Sequence, residues 1–170
     1  MDKQGFIRTP LQTFVTAKDR LQIFNREHLP KGKEFENFMN AWSFCTSTEM
    51  IKKLSSFEYR FCCFSRAEAS EEWIAGAMSL FSSAGADLIY IYVRPKERGK
   101  GYGKKLLDSI AKQIILDQSC LDKRLVLEVH ISNRKAHKLY ESFNMQIVGK
   151  RINYYGRDEH ALVFAKDLST

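Results

Sequence analysis

The residues with the most evident chemistry form a glycine-rich turn, Arg98-Gly99-Lys100-Gly101-Tyr102-Gly103, between a strand-like apolar run and a helical pattern. Glycines let backbone N–H groups approach a ligand without obstruction by a Cβ atom. The first turn of the following helix adds unpaired N–H donors and the positive end of the helix dipole. Residues 94–105 carry six basic side chains and one acidic one. The turn therefore predicts a site for a small, dense anion such as a pyrophosphate.

Two better-known phosphate motifs do not fit this turn. The glycines at 99, 101 and 103 match neither the dinucleotide pattern G-x-G-x-x-G nor the nucleotide pattern G-x-x-x-x-G-K-S/T. On the glycines alone, an ordinary strand-to-helix turn with solvated lysines explains the sequence about equally well. The concentrated charge and the flanking strand and helix favour the anion site.

Length and composition predict one domain over residues 1–170, because 170 residues with 44% hydrophobic and 28% charged side chains suit one compact core. The net charge of +7 arises wholly after Val93, where 16 basic residues face 9 acidic ones. A nucleic-acid-binding protein usually spreads such charge over a face and interleaves aromatic residues with it. Here the charge is concentrated and only Tyr102 is interleaved, so we expect no direct nucleic-acid partner.

The expected cellular compartment and the expected absence of a metal site both depend on patterns that the sequence lacks. It has no apolar run long enough to span a membrane, and Met1–Pro10 has no secretory signal pattern. A cytoplasmic protein without a membrane partner is therefore expected. The cysteines Cys45, Cys62, Cys63 and Cys120 form no C-x-x-C pair, so we expect buried, reduced thiols and no metal site.

The hydrophobic pattern predicts an α/β domain with one mixed sheet, in the order β-α-α-β-β-β-α-β-α-β-β and with at least one parallel pair of strands in the middle. The predicted strands are Gln12–Ala17, Phe57–Phe64, Trp73–Phe81, Leu88–Val93, Leu125–Ile131, Gln146–Tyr155 and Glu159–Lys166. The predicted helices are Lys18–Leu29, a region from about Glu36 with a capping box at Thr46 and Glu49, a helix from Gly103, and a helix capped by Asn133.

Finer expectations concern the faces of these elements. Leu88–Val93 is apolar throughout and predicts a strand buried on both faces. The core side of the helix from Gly103 is predicted to carry Leu106, Leu107, Ile110, Ala111, Ile114 and Ile115. Leu125, Leu127, Val129 and Ile131 are predicted to share one face of their strand. Asn144 suits a left-handed residue after the last helix.

Two separate parts of the sequence resemble one family. The stretch Val93–Leu107 resembles the acetyl-CoA-binding motif of the GNAT superfamily, R/Q-x-x-G-x-G/A. Leu127–Asn133, Leu139-Tyr140-Glu141 and Asn153-Tyr154-Tyr155 resemble the RimI-type ribosomal-protein-alanine group of protein N-terminal acetyltransferases. The resemblance covers Phe57–Leu168. The chain departs from the usual pattern in having Asn144-Met145 for Gly-Phe, a shorter final hairpin, and His160-Ala161 for Asp-Ala.

The resemblance implies a GNAT fold whose central strands splay around acetyl-CoA. It also implies direct attack of an amine on the thioester, without an acyl-enzyme and without a metal. The cofactor-binding residues it implies are Ile91, Tyr92, Val93, Arg98, Gly99, Lys100, Gly101, Tyr102, Gly103, Lys104 and Asn133. A backbone N–H within Ile91–Val93 would stabilise the developing oxyanion.

The resemblance further implies Glu128 as general base and Tyr140 as general acid. Partial burial would suit Glu128 to accept a proton near pH 7. A surface Glu128 paired with a lysine across the strand and a Tyr140 that only packs in the core are the structural alternatives. His130 is the second candidate base.

Tyr154 and Tyr155 are implied to bind the substrate, a protein N-terminus, with ribosomal proteins among the candidates. Two other hypotheses stay open: a GNAT enzyme acting on lysine, a polyamine or an aminoglycoside, and a non-catalytic module that binds acyl-CoA or nucleic acid.

Overall fold

The computed structural model describes residues 12–15, 19–25, 58–66 and 72–169, together with single helical residues at 33 and 37. The strands are β1 (Gln12–Val15), β2 (Asp19–Asn25), β3 (Glu58–Arg66), β4 (Trp73–Ser82), β5 (Gly85–Val93), β6 (Arg124–His130), β7 (Gln146–Gly156) and β8 (Glu159–Asp167). The helices are α1 (Tyr102–Leu116), α2 (Arg134–Ser142) and a 3₁₀ turn at Pro95–Glu97.

The eight strands form one sheet in the order β1-β2-β3-β4-β5-β6-β8-β7. Every neighbouring pair is antiparallel except β5 and β6, which are parallel. The predicted α/β class, the mixed sheet and the central parallel pair are thus confirmed. Because α1 must carry the chain from the end of β5 to the start of β6, it packs across the sheet and begins where β5 ends.

The N-terminal part corrects one prediction. The helix predicted at Lys18–Leu29 is wrong over Asp19–Asn25, which form β2 between β1 and β3. The apolar residues Leu21 and Phe24 suggested helical spacing, but they belong to opposite faces of a strand: Leu21 packs with the core under α1, and Phe24 packs with Trp73 on the other face. A strand with apolar residues on both faces lacks the residue-by-residue alternation of apolar and polar side chains. The spacing of Leu21 and Phe24 therefore resembled that of a helix face.

Other N-terminal predictions lie mostly outside the described residues. The first strand is observed over Gln12–Val15, and residues 16 and 17 are not described. The second helical region and its capping box also lie outside them, apart from the helical Asn37.

The main core lies between the sheet and the two helices. Leu106, Leu107, Ile110 and Ile114 of α1 are buried there as predicted, but Ile115 is 49% exposed because it falls on the outer edge of the helix. Ile131 is likewise not a core residue, because β6 ends at His130 and Ile131, in the turn that follows, is 36% exposed.

The prediction that Leu88–Val93 is buried on both faces is wrong. Ile89 is 38% exposed and Tyr90–Val93 are only half-buried. This exposure has two causes. The register of β4 and β5 shifts at Ile89, which lies between the pairs Leu88–Ser79 and Tyr90–Met78. In addition, β6 does not pair with β5 beyond Leu88. A β-bulge of this kind is common next to functional sites.

The C-terminal predictions are confirmed. The Asn133 side chain caps α2 by accepting a hydrogen bond from the Ala136 N–H (3.2 Å), and Asn144 is left-handed with φ of 59°. The β7–β8 hairpin extends one residue further on each strand than expected.

Cys62, Cys63 and Cys120 are buried and form no disulfide with one another, while Cys45 lies outside the described residues. Over the described ranges, none of the helices is both long and apolar enough to cross a membrane.

Gly85, at the start of β5, should be hard to replace without a loss of stability. It has φ of +100°, and a Cβ added there would overlap the backbone carbonyl of Arg124 on β6. We expect Gly85→Ala to lower the free energy of unfolding by about 3 kcal/mol, because backbone strain adds to a clash that only strand displacement can relieve. Urea unfolding measures this, with Gly149→Ala as the matched control, since a Cβ at Gly149 meets only ordinary contacts. Equal losses in the two variants would contradict the prediction.

Candidate active site

The sheet opens between its two parallel strands. β5 and β6 pair only at Ala86–Leu125, Asp87–Val126 and Leu88–Leu127. Beyond Leu88, β5 continues along β4 to Val93, while β6 continues along β8 to His130. The strands therefore diverge, which confirms the predicted splay of the central strands and exposes backbone groups of β5 that a sheet partner would otherwise occupy.

The glycine-rich turn lies at the open end of this gap. Gly99 and Gly101 have φ of +80° and +83°, values that side-chain-bearing residues rarely adopt. Nothing lies within 4 Å of the place where a Cβ would stand on either glycine. Gly101 is the N-cap of α1 and accepts the first helical hydrogen bond, from the Lys105 N–H (3.0 Å). The N–H groups of Tyr102, Gly103 and Lys104 precede that bond, so they have no acceptor within the helix.

One cavity of about 590 Å³ joins the turn to the gap. Most of the sequence-predicted residues line it, namely Ile91, Tyr92, Val93, Arg98, Gly99, Gly101, Tyr102, Gly103, Lys104 and the candidate acid Tyr140. A long apolar slot with cationic side chains and free N–H donors at one end suits an elongated ligand with an anionic head.

Part of the lining, supplied by α2 and the 3₁₀ turn, is not apparent from the sequence patterns. These residues are Glu97, Lys135, Ala136, Leu139 and Ser142. Ala136 and Leu139 also pack against the main core as partly buried residues. Lys135 could have been found from its position one helical turn before Leu139, because residues four apart share a helix face.

Two predicted cofactor residues do not line the cavity. The ammonium of Lys100 is bound to the carboxylate of Glu97 (3.0 Å), and Asn133 is exposed and engaged in capping α2. Arg98, in contrast, does line it, and its Nε donates to the Val93 carbonyl (3.0 Å). The Arg98 side chain thereby ties the turn to the end of β5.

A buried polar network holds the turn from below. The Tyr102 hydroxyl donates to Asp19 on β2 (2.8 Å). Arg66 on β3 donates to both Asp19 (3.3 Å) and Glu97 (2.7 Å). Burial, together with the bond to Asp19, raises the pKa of Tyr102 to about 12, whereas the Lys100 hydrogen bond and the Arg66 charge hold the pKa of Glu97 below its usual value. Tyr102 therefore stays protonated and Glu97 stays ionised across the neutral pH range.

The candidate base Glu128 lies on β6 beyond the last β5–β6 pair, and its side chain is only 18% exposed. Its Oε1 forms an ion pair with Arg151 of β7 (2.9 Å), which reaches across β8. A basic partner for Glu128 was one of the sequence alternatives, although as a lysine. The ion pair fixes the orientation of the Glu128 carboxylate. Arg151 contacts Oε1, so the pair does not involve Oε2.

The two candidate substrate tyrosines lie beside Glu128. The Tyr155 hydroxyl donates to the Glu128 backbone carbonyl (3.4 Å), and the rings of Tyr154 and Tyr155 meet edge to face at 5.0 Å. The Arg151 guanidinium lies over the Tyr154 ring at 5.5 Å. Burial raises the pKa of both tyrosines, and the neighbouring Glu128 charge adds to the effect. Both phenols therefore remain protonated hydrogen-bond donors at neutral pH.

His130 follows on the same face of β6 as Glu128. Its Nδ1 lies within hydrogen-bonding distance of both the hydroxyl (2.7 Å) and the backbone N–H (3.2 Å) of Ser132, and its ring lies 5.4 Å from that of Tyr155. The Nδ1 position is thus occupied by local contacts with Ser132.

Tyr140 is 4% exposed and packs its ring against Phe164 (5.6 Å) while lining the cavity. Burial, and secondarily the nearby Tyr155, raises its pKa well above the ordinary value. The phenol therefore keeps its proton at any physiological pH. Tyr140 is therefore a protonated residue of the cavity lining and a weaker acid than an ordinary tyrosine.

Comparison with known proteins decides the family. Residues 25–145 match the model of the Acetyltransferase (GNAT) family. The chain belongs to the GNAT acetyltransferase family. The glycine turn, the splayed strands and Tyr140 all lie within the matched residues of this GNAT chain.

Two curated relatives of the GNAT chain are named ribosomal protein bS18-alanine N-acetyltransferases. One, from Haemophilus ducreyi, is 37% identical over 84 residues, which cover 47% of this chain and 56% of the relative. The other, from Bacillus subtilis strain 168, carries the name provisionally and is 38% identical over 79 residues, 46% of this chain and 50% of the relative. The chain spans about half the length of these curated relatives.

Solved structures of the same fold include enzymes of different specificity. The Escherichia coli ribosomal-protein-S18-alanine N-acetyltransferase aligns with a TM-score of 0.58 and 23% identity, covering 88% of this chain and 95% of that one. The spermidine/spermine N-acetyltransferase SpeG of Vibrio cholerae aligns with a TM-score of 0.66 and 16% identity, covering 88% and 93%. At these identities the likeness establishes the GNAT fold alone. Over the described residues, this GNAT chain has no group of three or more His, Cys, Asp or Glu that could hold a metal ion.

Proposed function

We propose that this chain is an acetyl-CoA-dependent N-acetyltransferase of the cytoplasm that transfers an acetyl group directly to a primary amine, the α-amine of a protein N-terminus. The observation that carries the proposal is the single cavity that connects the glycine turn, the splayed end of β5 and Tyr140. The names of the two curated relatives support a ribosomal protein as the acceptor.

The residues present fit acetyl-CoA. The open space in front of Gly99 and Gly101 and the unpaired N–H groups of the first α1 turn would receive the pyrophosphate. Arg98 and Lys104 line the same part of the cavity and add positive charge. The apolar slot between β5 and α2 would receive the pantetheine arm. Bound acetyl-CoA supplies an acetyl group activated as a thioester.

The splayed strand provides the electrostatic part of the mechanism. Because β6 no longer pairs with β5 after Leu88, the backbone N–H groups of Ile91 and Val93, which alternate away from β4, form no sheet hydrogen bond to β6. An N–H donor fixed at the place where a carbonyl oxygen gains charge stabilises the transition state without reorganisation, an effect of about 3 kcal/mol per donor. We assign this role to the Ile91–Val93 segment.

Proton transfer is assigned to Glu128, and stabilisation of the leaving group to Tyr140. Glu128, held by Arg151, accepts the proton of the attacking amine through its remaining oxygen or through one water. Tyr140 donates a hydrogen bond to the departing sulfur. With its pKa raised, Tyr140 stabilises the thiolate by hydrogen bonding and does not lose its proton outright at neutral pH.

Acid–base energetics favour an α-amine as the acceptor. An α-amine with a pKa near 8 costs about 1.4 kcal/mol to deprotonate at pH 7, whereas a lysine costs about 4.6 kcal/mol. Tyr154, protonated and adjacent to Glu128, offers a hydrogen-bond donor to a backbone carbonyl of an incoming peptide. The Tyr155 proton is directed at the Glu128 carbonyl, so its hydroxyl oxygen would accept from a peptide N–H. A thiol-release assay with acetyl-CoA against free N-terminal peptides, lysine peptides and polyamines tests the proposal. Release with the free N-terminal peptides supports it, and release only with polyamines contradicts it.

The basic residues of the turn should contribute unequally. Lys104 lines the cavity, whereas Lys100 is paired with Glu97. We expect Lys104→Met to weaken acetyl-CoA binding about tenfold and Lys100→Met less than about threefold, because a hydrogen bond to a charged group contributes about 1.5 kcal/mol or more. Isothermal titration calorimetry measures both. A larger loss for Lys100→Met would show that Lys100 leaves Glu97 to bind the cofactor.

A further inference from the structure

A second cavity, of about 490 Å³, lies next to the first, and among the described residues the two have no lining residue in common. Tyr102 separates the two. It lines the first cavity and contacts three residues of the second: Asp19 through its hydroxyl, Phe64 through its ring (5.5 Å) and Lys105 through a cation–π contact (5.0 Å). The volume lies within the range of small-molecule sites, and the mechanism above does not use this cavity.

One side of the second cavity is apolar. Leu21 and Ile23 of β2 and Phe64 of β3 form it, and Phe14 of β1 and Leu116 of α1 extend it to the surface. Phe14 and Leu116 are 55% and 75% exposed. Large apolar side chains left open beside a concave surface are typical of ligand sites.

The opposite side is a stripe of α1 with a buried polar floor. Ser109 and Gln113, one turn apart, are 7% and 9% exposed. The Gln113 Nε2 donates to the Cys62 sulfur (2.9 Å) and to the Ser109 carbonyl (3.3 Å). Its Oε1 is buried and has no hydrogen-bond partner within the described part of the chain. Buried polar atoms in native proteins are nearly always paired. Because this oxygen has almost no accessible surface, the Gln113 amide must turn toward the cavity for a donor on a ligand to reach it.

The rim of the cavity is basic. Lys105 and Lys112 lie two turns apart on α1 and are both exposed, with Asp108 between them. The fourth charged residue of the lining, Asp19, is already bound by Arg66 and Tyr102. The charge available to a ligand at the rim is therefore positive, and it favours an anionic group.

We propose that this cavity binds a small amphipathic acid. Its apolar body would pack against Leu21, Ile23 and Phe64. A single N–H or O–H donor at its inner end would pair with Gln113 Oε1, and its carboxylate would lie at Lys105 and Lys112. The inference is independent of the acetyl-transfer proposal, since it rests on different residues.

Indole-3-propionate is the probe, because it combines an aromatic body, one N–H donor and one carboxylate. We expect saturable binding to the full-length chain with a Kd of about 1 mM or tighter, as a ligand of this size allows. Amide shifts in heteronuclear NMR should map to α1 and β2. The 1-methyl derivative lacks the donor and tryptamine replaces the anion by a cation; each should bind at least about fivefold more weakly.

A pair of matched variants locates the site. Leu116→Glu places a carboxylate on the cavity rim, while Leu121→Glu changes a leucine of similar exposure, 78%, outside it. Both positions are at the surface, so both variants should fold with unchanged circular dichroism. We expect Leu116→Glu to raise the Kd at least fivefold and Leu121→Glu to leave it unchanged. Absence of saturable binding, equal binding of all three probes, equal effects of the two variants, or shifts confined to the glycine turn would each overturn the proposal.

Discussion

Replacing Glu128 with glutamine should lower kcat at pH 7 by about 10²–10⁴, the usual contribution of a general base. Glutamine keeps the size of the side chain and can still accept a hydrogen bond from Arg151, so the local structure should be preserved. It cannot take a proton from the substrate ammonium. Activity should therefore recover in part as the pH rises through the pKa of the amine, because the substrate then supplies its own neutral form.

The controls separate loss of the base from a general disturbance. Glu141→Gln removes an exposed carboxylate on α2 and should leave kcat unchanged. Tyr140→Phe should lower kcat while acetyl-CoA binding stays within about twofold of wild type, because the phenol acts on the departing sulfur. If Glu128→Gln turned over at the wild-type rate, the base would have to be His130 or an ordered water, and the assignment to Glu128 would be wrong.

Replacing Gly101 with glutamate should abolish measurable acetyl-CoA binding, with the Kd rising at least about 100-fold. Two effects combine. The residue has φ of +83°, where any side chain is strained by about 1–2 kcal/mol, and the new carboxylate would project into the space assigned to the pyrophosphate. Repulsion between like charges at close range and displacement of the N-cap both oppose binding.

Calorimetry with acetyl-CoA measures this effect, and circular dichroism verifies that the variant is folded. Gly149→Glu is the matched control, since Gly149 lies on the exposed strand β7 and has no positive φ. It should bind acetyl-CoA like the wild type. Unchanged affinity in a folded Gly101→Glu variant would refute the phosphate site.

The parts of the site that the sequence predicted are those encoded locally. The glycine turn, the N-terminus of α1 and the cap at Asn133 each depend on residues within one turn of each other, so their patterns could be read directly. The splay of β5 and β6 and the roles of Glu128 and Tyr140 came from the family resemblance. The structure places Tyr140 in the cavity and Glu128 on the adjoining strand, but the roles themselves stay predictions.

The parts that were missed depend on contacts between distant residues. Asp19 and Tyr102 are 83 positions apart and meet only because β2 and α1 pack together. Arg151 reaches Glu128 across an intervening strand whose register no local pattern reveals. The strand β2 was predicted as a helix for a related reason: burial on both faces, imposed by its neighbours, removes the alternation that identifies a strand.

The proposed acceptor, the α-amine of a protein N-terminus, is tested most directly by a competition experiment. One peptide has a free N-terminus and no lysine, and an equimolar partner of the same sequence is N-terminally blocked and carries one internal lysine. Both are incubated with the enzyme and acetyl-CoA, and mass spectrometry locates the acetyl group. We predict acetylation of the free α-amine in large excess over the lysine. Preferential acetylation of the blocked, lysine-bearing peptide would contradict the proposed function and leave only the GNAT assignment standing.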